Sequence, residues 1–219
     1  MATPDEMEDT ALMAGMYIKI CGLQSAEAVA AATGAGADAV GFVFAPGSPR
    51  TVTADLAFRL GREVPHGVET VGVFRNQPLG EVLETAHRAE LTTVQLHGNE
   101  SMADIVRLRG EGFRTLRAFS AAAYNALDAA DKVAWDSERI LLDAVEPGAG
   151  VAFDTTAVKA GPPSGFWLLA GGLTPHNVEQ LATTLRPAGV DVSSGVESSR
   201  GVKDPQLIRD FIGALRALA

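Results

Sequence analysis

The sequence predicts an α/β protein built as a single (β/α)8 TIM barrel, and three observations carry that expectation. From Tyr17 onward, short β-rich runs alternate with helical patterns, and the alternation counts to eight units. Most of the runs are continuous in apolar residues, as strands covered on both faces must be. The residues that look odd for mere connectors fall directly after those runs, where a barrel presents its working face. A doubly wound open sheet is the competing architecture. Its dinucleotide loop joins a strand to a helix, however, whereas Gly34-Ala35-Gly36 lies ahead of the second strand.

Taken in order, the expected strands are Tyr17–Ile20, Ala39–Phe44, Thr70–Phe74, Thr92–Leu96, Arg114–Ala118, Arg139–Leu142, Phe166–Ala170 and Val190–Val192. The first stops at Cys21-Gly22, and a helical pattern begins near Ser25. Later helices carry their own start signals: Thr53 ahead of Ala54-Asp55-Leu56, Pro78 as a first helical residue, Thr174-Pro175, and Asp204-Pro205. After the last of these, Leu207, Ile208, Phe211, Ile212, Leu215 and Leu218 recur at three and four, which gives a closing helix one apolar face. The fifth helix is an alanine-rich stretch from Ala121 to Lys132, and the sixth is short, around Thr155 to Lys159.

At 219 residues, 47% hydrophobic and 21% charged, the chain suits one domain with a sizeable core. A formal charge of -9 argues against a sequence-independent hold on nucleic acid, so an anionic ligand needs local donors. One cysteine forms no intrachain disulfide. There is no basic-then-apolar leader and no apolar run of the roughly 18 residues that a spanning helix needs, so the expected location is cytoplasmic and away from membranes. Residues 1–16, with Asp5, Glu6, Glu8, Asp9 and three methionines but no apolar face, are expected to form a flexible acidic tail. Residues 17–219 are then the barrel.

The loops after the strands hold Cys21-Gly22, Ser48-Pro49-Arg50, His97-Gly98-Asn99-Glu100, Asp143, Gly171-Gly172 and Ser193-Ser194-Gly195-Val196-Glu197. Glycines after strand seven, with small hydroxyl and glycine residues after strand eight, let backbone N–H groups approach a phosphate. Gly171, Gly172, Ser193, Ser194 and Gly195 are therefore the phosphate-binding candidates. Each loop alone would equally suit a plain turn or a helix cap. Asp143 follows an apolar strand, where desolvation favours the protonated acid. In such a barrel Cys21 is expected to sit across the mouth from it, on the first strand. A lone cysteine is most often a small buried hydrophobe, but at a strand's carboxyl end a thiol of ordinary pKa about 8.5 can act as a base on a carbon acid. Arg50 offers a planar fork to a carboxylate, and His97 is a candidate substrate contact or a hydrogen-bonded structural histidine. His66, His87, His97 and His176 show no ligand-like spacing, so no metal is expected.

These residues resemble the phosphoribosylanthranilate isomerase family of tryptophan biosynthesis. The resemblance runs from about Tyr17 to the C-terminus. It rests on KICGL at 19–23, GADAVGFVF at 36–44, SPR at 48–50, VGVFRN at 71–76, VQLHGNE at 94–100, LLD at 141–143 and GAGVAFD at 148–154. It continues through LAGGLTPHNV at 169–178, DVSSGVES at 191–198 and GVKD at 201–204. The resemblance implies a cofactor-free Amadori rearrangement of N-(5-phosphoribosyl)anthranilate to 1-(2-carboxyphenylamino)-1-deoxyribulose 5-phosphate. It makes Asp143 the general acid on the furanose ring oxygen and Cys21 the base at the sugar C2. Arg50 would face the anthranilate carboxylate, and the two late loops would hold the phosphate. The partner is then a small-molecule substrate, and the protein a monomer or homodimer. A recruited paralogue with a related anthranilate-derived or phosphosugar substrate would keep the same motifs. A catalytically silent phosphate-binding barrel is the reading from a different class, but it would not need both Cys21 and Asp143.

Departures from the family pattern sit in one place. The family commonly has Gly-Gly-Ser/Thr-Gly and then Phe-Asp-Trp after the aspartate, whereas this chain has Pro147-Gly148-Ala149-Gly150 and Phe153-Asp154-Thr155. Gly148 and Gly150 remain the lid-loop candidates. Proline removes a donor and stiffens the loop, so slower or differently gated turnover is expected, without loss of chemistry. Gln24 stands where threonine is common and is expected to weaken a helix cap.

Overall fold

The computed structural model describes residues 15–144 and 155–216. Eight parallel strands close in chain order into one barrel: β1 (Tyr17–Cys21), β2 (Ala39–Val43), β3 (Glu69–Phe74), β4 (Thr93–Leu96), β5 (Arg114–Ser120), β6 (Ile140–Asp143), β7 (Trp167–Ala170) and β8 (Gly189–Val192). No strand end moves by more than two residues from its expected place. Outside the ring lie α1 (Ala26–Gly34), α2 (Ala54–Gly61), α3 (Leu79–Arg88), α4 (Met102–Gly110), α5 (Ala121–Asn125), α6 (Ala129–Asp136), α7 (Thr155–Lys159), α8 (Val178–Leu185) and α9 (Pro205–Arg216). After β8 come a 3-10 turn at Ser194–Val196 and an antiparallel pair, β9 (Glu197–Ser199) with β10 (Val202–Lys203). None of these helices is long and apolar enough to cross a membrane.

Alternation along the strands sorts side chains between two cores. On β1, Ile18 and Ile20 point outward into the large core beneath the helices, while Cys21 joins an inner group with Val43, Ala45 and Val73. Leu116, Ala118, Leu141, Leu168 and Ala170 fill another part of the interior. α9 seals the outer layer by burying Ile208, Phe211, Ile212 and Leu215 completely. Burial of each such side chain contributes roughly 1.5–3 kcal/mol.

Three expectations change. The alanine-rich stretch 121–132 is not one helix. It breaks after α5, because the Asp128 carboxylate accepts the Asp131 N–H and starts α6. Thr174-Pro175 does not open α8, which begins at Val178 behind Asn177. Met16, assigned to the tail, is 1% exposed, and its carbonyl accepts a hydrogen bond from Arg216. Of the rest of the expected tail, Gly15 is exposed and residues 1–14 lie outside the described residues.

Candidate active site

The ends of the strands open into one cleft lined by Cys21, Val43, Ser48, Arg50, Val73, Gln95, His97, Asp143, residues 170–173 and residues 191–195. All the candidates within the described residues meet there: Cys21, Arg50, His97, Asp143, Gly171, Gly172, Ser193, Ser194 and Gly195. Gly148 and Gly150, with the rest of the departing loop, lie outside the described residues. Among the described residues no group of His, Cys, Asp and Glu is placed to hold a metal ion.

Cys21 ends β1 opposite Gly41 of β2, where the lack of a side chain leaves room for the sulfur. Cys21 is 7% exposed, and burial of its thiol pushes the pKa up, against the pull of Lys19. Asp143 ends β6. Its Oδ2 lies 3.9 Å from His97 Nε2, while His97 Nδ1 lies 3.1 Å from the Gln95 amide nitrogen. Burial pulls the His97 pKa below its ordinary value, so the imidazole is neutral near pH 7. A neutral ring whose Nδ1 accepts from Gln95 carries its proton on Nε2, toward Asp143.

His97 is placed by a second tier. The Glu100 carboxylate accepts the N–H of Asn76 at 2.6 Å and of Gly98 at 2.7 Å, tying the loops after β3 and β4 together. Arg117, 5% exposed, donates to the Gly98 carbonyl at 2.7 Å.

Arg50 does not stand alone at the mouth. Its Nε and Nη2 donate to the two oxygens of Glu197 at 2.6 and 2.9 Å. A guanidinium has five N–H groups, so the other edge of the fork remains for a ligand carboxylate. Lys203 donates to Glu197 at 2.8 Å and to the Ser193 carbonyl at 2.7 Å. Burial opposes ionisation of Glu197, but hydrogen bonds from Arg50, Lys203 and the Gly201 N–H outweigh it and hold its pKa down to about 2. That is below the unfolded value of about 4.3, so Glu197 stabilises the fold fully above that pH and loses the contribution as pH falls toward about 2. Glu197→Gln is expected to cost roughly 3 kcal/mol near neutral pH and much less near pH 2. Urea unfolding at both pH values checks this, and an equal loss at both would contradict it.

The phosphate candidates form one rim. Gly171 and Gly172 take φ of 88° and 63°, which aims their peptides in a way that L side chains rarely permit. Asn177 fixes that turn by accepting the Thr174 N–H at 2.7 Å and donating to the Gly172 carbonyl at 3.0 Å. Gly195 packs so closely on the Leu173 carbonyl that a Cβ would overlap it. The Ser193 hydroxyl is committed to the Cys21 carbonyl at 3.2 Å, so Ser193 offers an anion its N–H in preference to its hydroxyl. Gly195→Ala is expected to part the two loops and weaken inorganic phosphate binding by about tenfold or more, measured by calorimetry. Unchanged binding would remove these loops from the phosphate site.

Several residues of the site carried no role in the sequence reading: Lys19, Gln95, Asn177, Asp191, Glu197 and Lys203. The signal for Lys19 and Asp191 was a charged residue inside an apolar strand. Gln24 does not weaken a cap, because Ser25 caps α1 by accepting the Ala28 N–H, and Gln24 donates to the Pro49 carbonyl.

Comparison with known proteins gives a consistent result. Residues 18–214 match the family described as N-(5'phosphoribosyl)anthranilate (PRA) isomerase. A protein of Deinococcus radiodurans named N-(5'-phosphoribosyl)anthranilate isomerase is 42% identical over 201 residues, covering 91% of this chain and 96% of its own. The crystal structure of TrpF from Jonesia denitrificans superposes with a TM-score of 0.82 at 43% identity, covering 93% of this chain and 98% of its own. A phosphoribosyl anthranilate isomerase solved in complex with reduced 1-(o-carboxyphenylamino)-1-deoxyribulose 5-phosphate superposes with a TM-score of 0.78 at 32% identity. That match covers 92% of this chain and 99% of the solved one.

Proposed function

This chain belongs to the N-(5'-phosphoribosyl)anthranilate isomerase family, and from that premise we propose that its cleft rearranges N-(5'-phosphoribosyl)anthranilate with Cys21 as general base and Asp143 as general acid. The observation that carries the reading is the pairing, in one cleft, of a buried thiol on β1 with a carboxyl group on β6. The Arg50 guanidinium, held by Glu197, and the glycine-bearing loops after β7 and β8 line the same cleft.

The chemistry follows from that layout. Asp143 protonates the furanose ring oxygen, the C1–O bond breaks, and the ring opens to an iminium between C1 and the anthranilate nitrogen. The iminium withdraws electrons and makes the C2 hydrogen acidic. The Cys21 thiolate takes that proton, and the C–H pair becomes the C1–C2 double bond of an enolamine. Tautomerisation removes the proton of the C2 hydroxyl and adds one at C1, leaving the ketone. Atoms and electrons balance without an oxidant, a reductant or a cofactor. Val43 and Val73 give the aromatic ring an apolar wall, the free edge of Arg50 takes its carboxylate, and the peptides at Gly171, Gly172, Ser194 and Gly195 take the phosphate.

Turnover is tested with freshly generated substrate, followed by loss of its anthranilate fluorescence. The expected result is a product of unchanged mass, formed without additives and insensitive to a chelator. A folded protein that binds a product analogue but leaves the fluorescence unchanged would overturn the reading. Arg50→Ala is expected to raise KM by roughly 10–100-fold with a smaller change in kcat, because a charge-assisted carboxylate contact acts in ground and transition states alike. A kcat effect alone would move Arg50 out of the binding role.

A further inference from the structure

We propose that Lys19, locked in place by Asp191, is the positioning residue that supplies the counter-charge for the Cys21 thiolate from beneath the barrel mouth. This rests on the reading of Cys21 as base and adds how a buried thiol can ionise at all. A strand turns alternate residues to one face, so Lys19 lies on the same inner face as Cys21, one layer deeper. The register sets Lys19 of β1 opposite Asp191 of β8, and Lys19 Nζ donates to Asp191 Oδ1 at 2.7 Å. Lys19 is 0% exposed. The same ammonium favours the charged form of the Cys21 thiol.

Stability does not account for this pair. Taking two ions out of water is costly, and apolar residues of similar volume commonly serve a core as well or better. The thiol packs with Val43, Ala45 and Val73, whereas the polar residues Gln95, His97 and Asp143 also line the cleft. What the pair adds is a cation, fixed by Asp191, on the same face of β1 as Cys21 and one layer deeper. Among the influences on the thiol, burial is the largest and favours the neutral form, and Lys19 is the largest opposing it. Asp191 acts against ionisation, and Lys203 of β10 acts for it. Arg50, neutral His97 and Asp143 complete the titratable and charged groups that line the same cleft.

Lys19 does not itself carry the proton. Although burial opposes its charge, Asp191 and Cys21 raise its pKa above the ordinary lysine value, so it stays an ammonium throughout. The thiol proton leaves to water at the mouth, the thiolate accepts the C2 proton, and Lys19 and Asp191 keep their charges in both states. The pair therefore acts with opposite signs on the thiol: the cation promotes ionisation and the carboxylate tempers it.

The chain has one cysteine, so the ultraviolet absorbance of the thiolate titrates a single group, with Cys21→Ser as the blank. In K19M/D191N, which removes both charges together, the thiolate midpoint is expected to rise, with kcat falling by about 100-fold or more and KM changing by less than about threefold. In D191N, which leaves the lysine alone, the midpoint is expected to fall. A merely structural pair would alter unfolding in both variants and move neither midpoint. An unmoved midpoint with wild-type kcat in K19M/D191N overturns the proposal. Should that variant not fold, a midpoint in D191N that stays or rises overturns it instead. Failure of the underlying reading is distinguishable, since Cys21→Ser would then keep its turnover whatever the Lys19 and Asp191 variants do.

Discussion

Cys21→Ser is expected to lose roughly three orders of magnitude in kcat while binding a product analogue within about threefold of wild type. The two side chains are nearly isosteric, and Gly41 leaves space on the open side of the sulfur, so the barrel is expected to keep its shape. What changes is basicity. A hydroxyl beside Lys19 does not ionise in the range where a thiol can, so the C2 proton has no acceptor. The iminium can still form, because ring opening depends on Asp143. Loss in kcat with binding retained is the signature of an interaction made only at the transition state. A parallel loss of analogue binding would mean that the thiol mainly shapes the cleft.

Asp143→Asn is expected to lower kcat by a similar factor, of the order of a thousandfold, at an earlier step. The amide keeps the carboxyl group's size and its reach toward His97, 3.9 Å away, but has no proton acidic enough to give to the ring oxygen. The furanose then stays closed, and no acidic C2–H is presented to Cys21. Because the steps are sequential, the double variant is expected to be little worse than either single one, which steady-state kinetics on all three would show. Losses that multiply in the double variant would indicate instead that the two residues act together at one rate-limiting transition state.

The barrel was legible because each strand is a local apolar run ended by a small or polar residue, and such runs survive tertiary context. The nominated site residues were legible for a related reason: Cys21, Asp143 and Gly171-Gly172 break the pattern at strand ends. The supporting charges were not. Lys19 and Asp191 are 172 residues apart and Arg50 and Glu197 are 147 apart, so only closure of the ring makes them neighbours. The same closure gives Ser193 its contact with the Cys21 carbonyl and turns its hydroxyl away from the role its motif suggested. The division of 121–132 into α5 and α6 hinged on Asp128, whose capping potential was hidden in a stretch rich in good helix formers.

The most direct test of the central claim, that Cys21 is the base, is a single turnover of substrate carrying deuterium at the sugar C2, run with wild type and Cys21→Ser side by side. Wild type is expected to remove the deuterium from C2 with a primary isotope effect, and Cys21→Ser to leave it in place on bound substrate. Removal of the C2 deuterium by the serine variant at a rate near that of wild type would contradict the account.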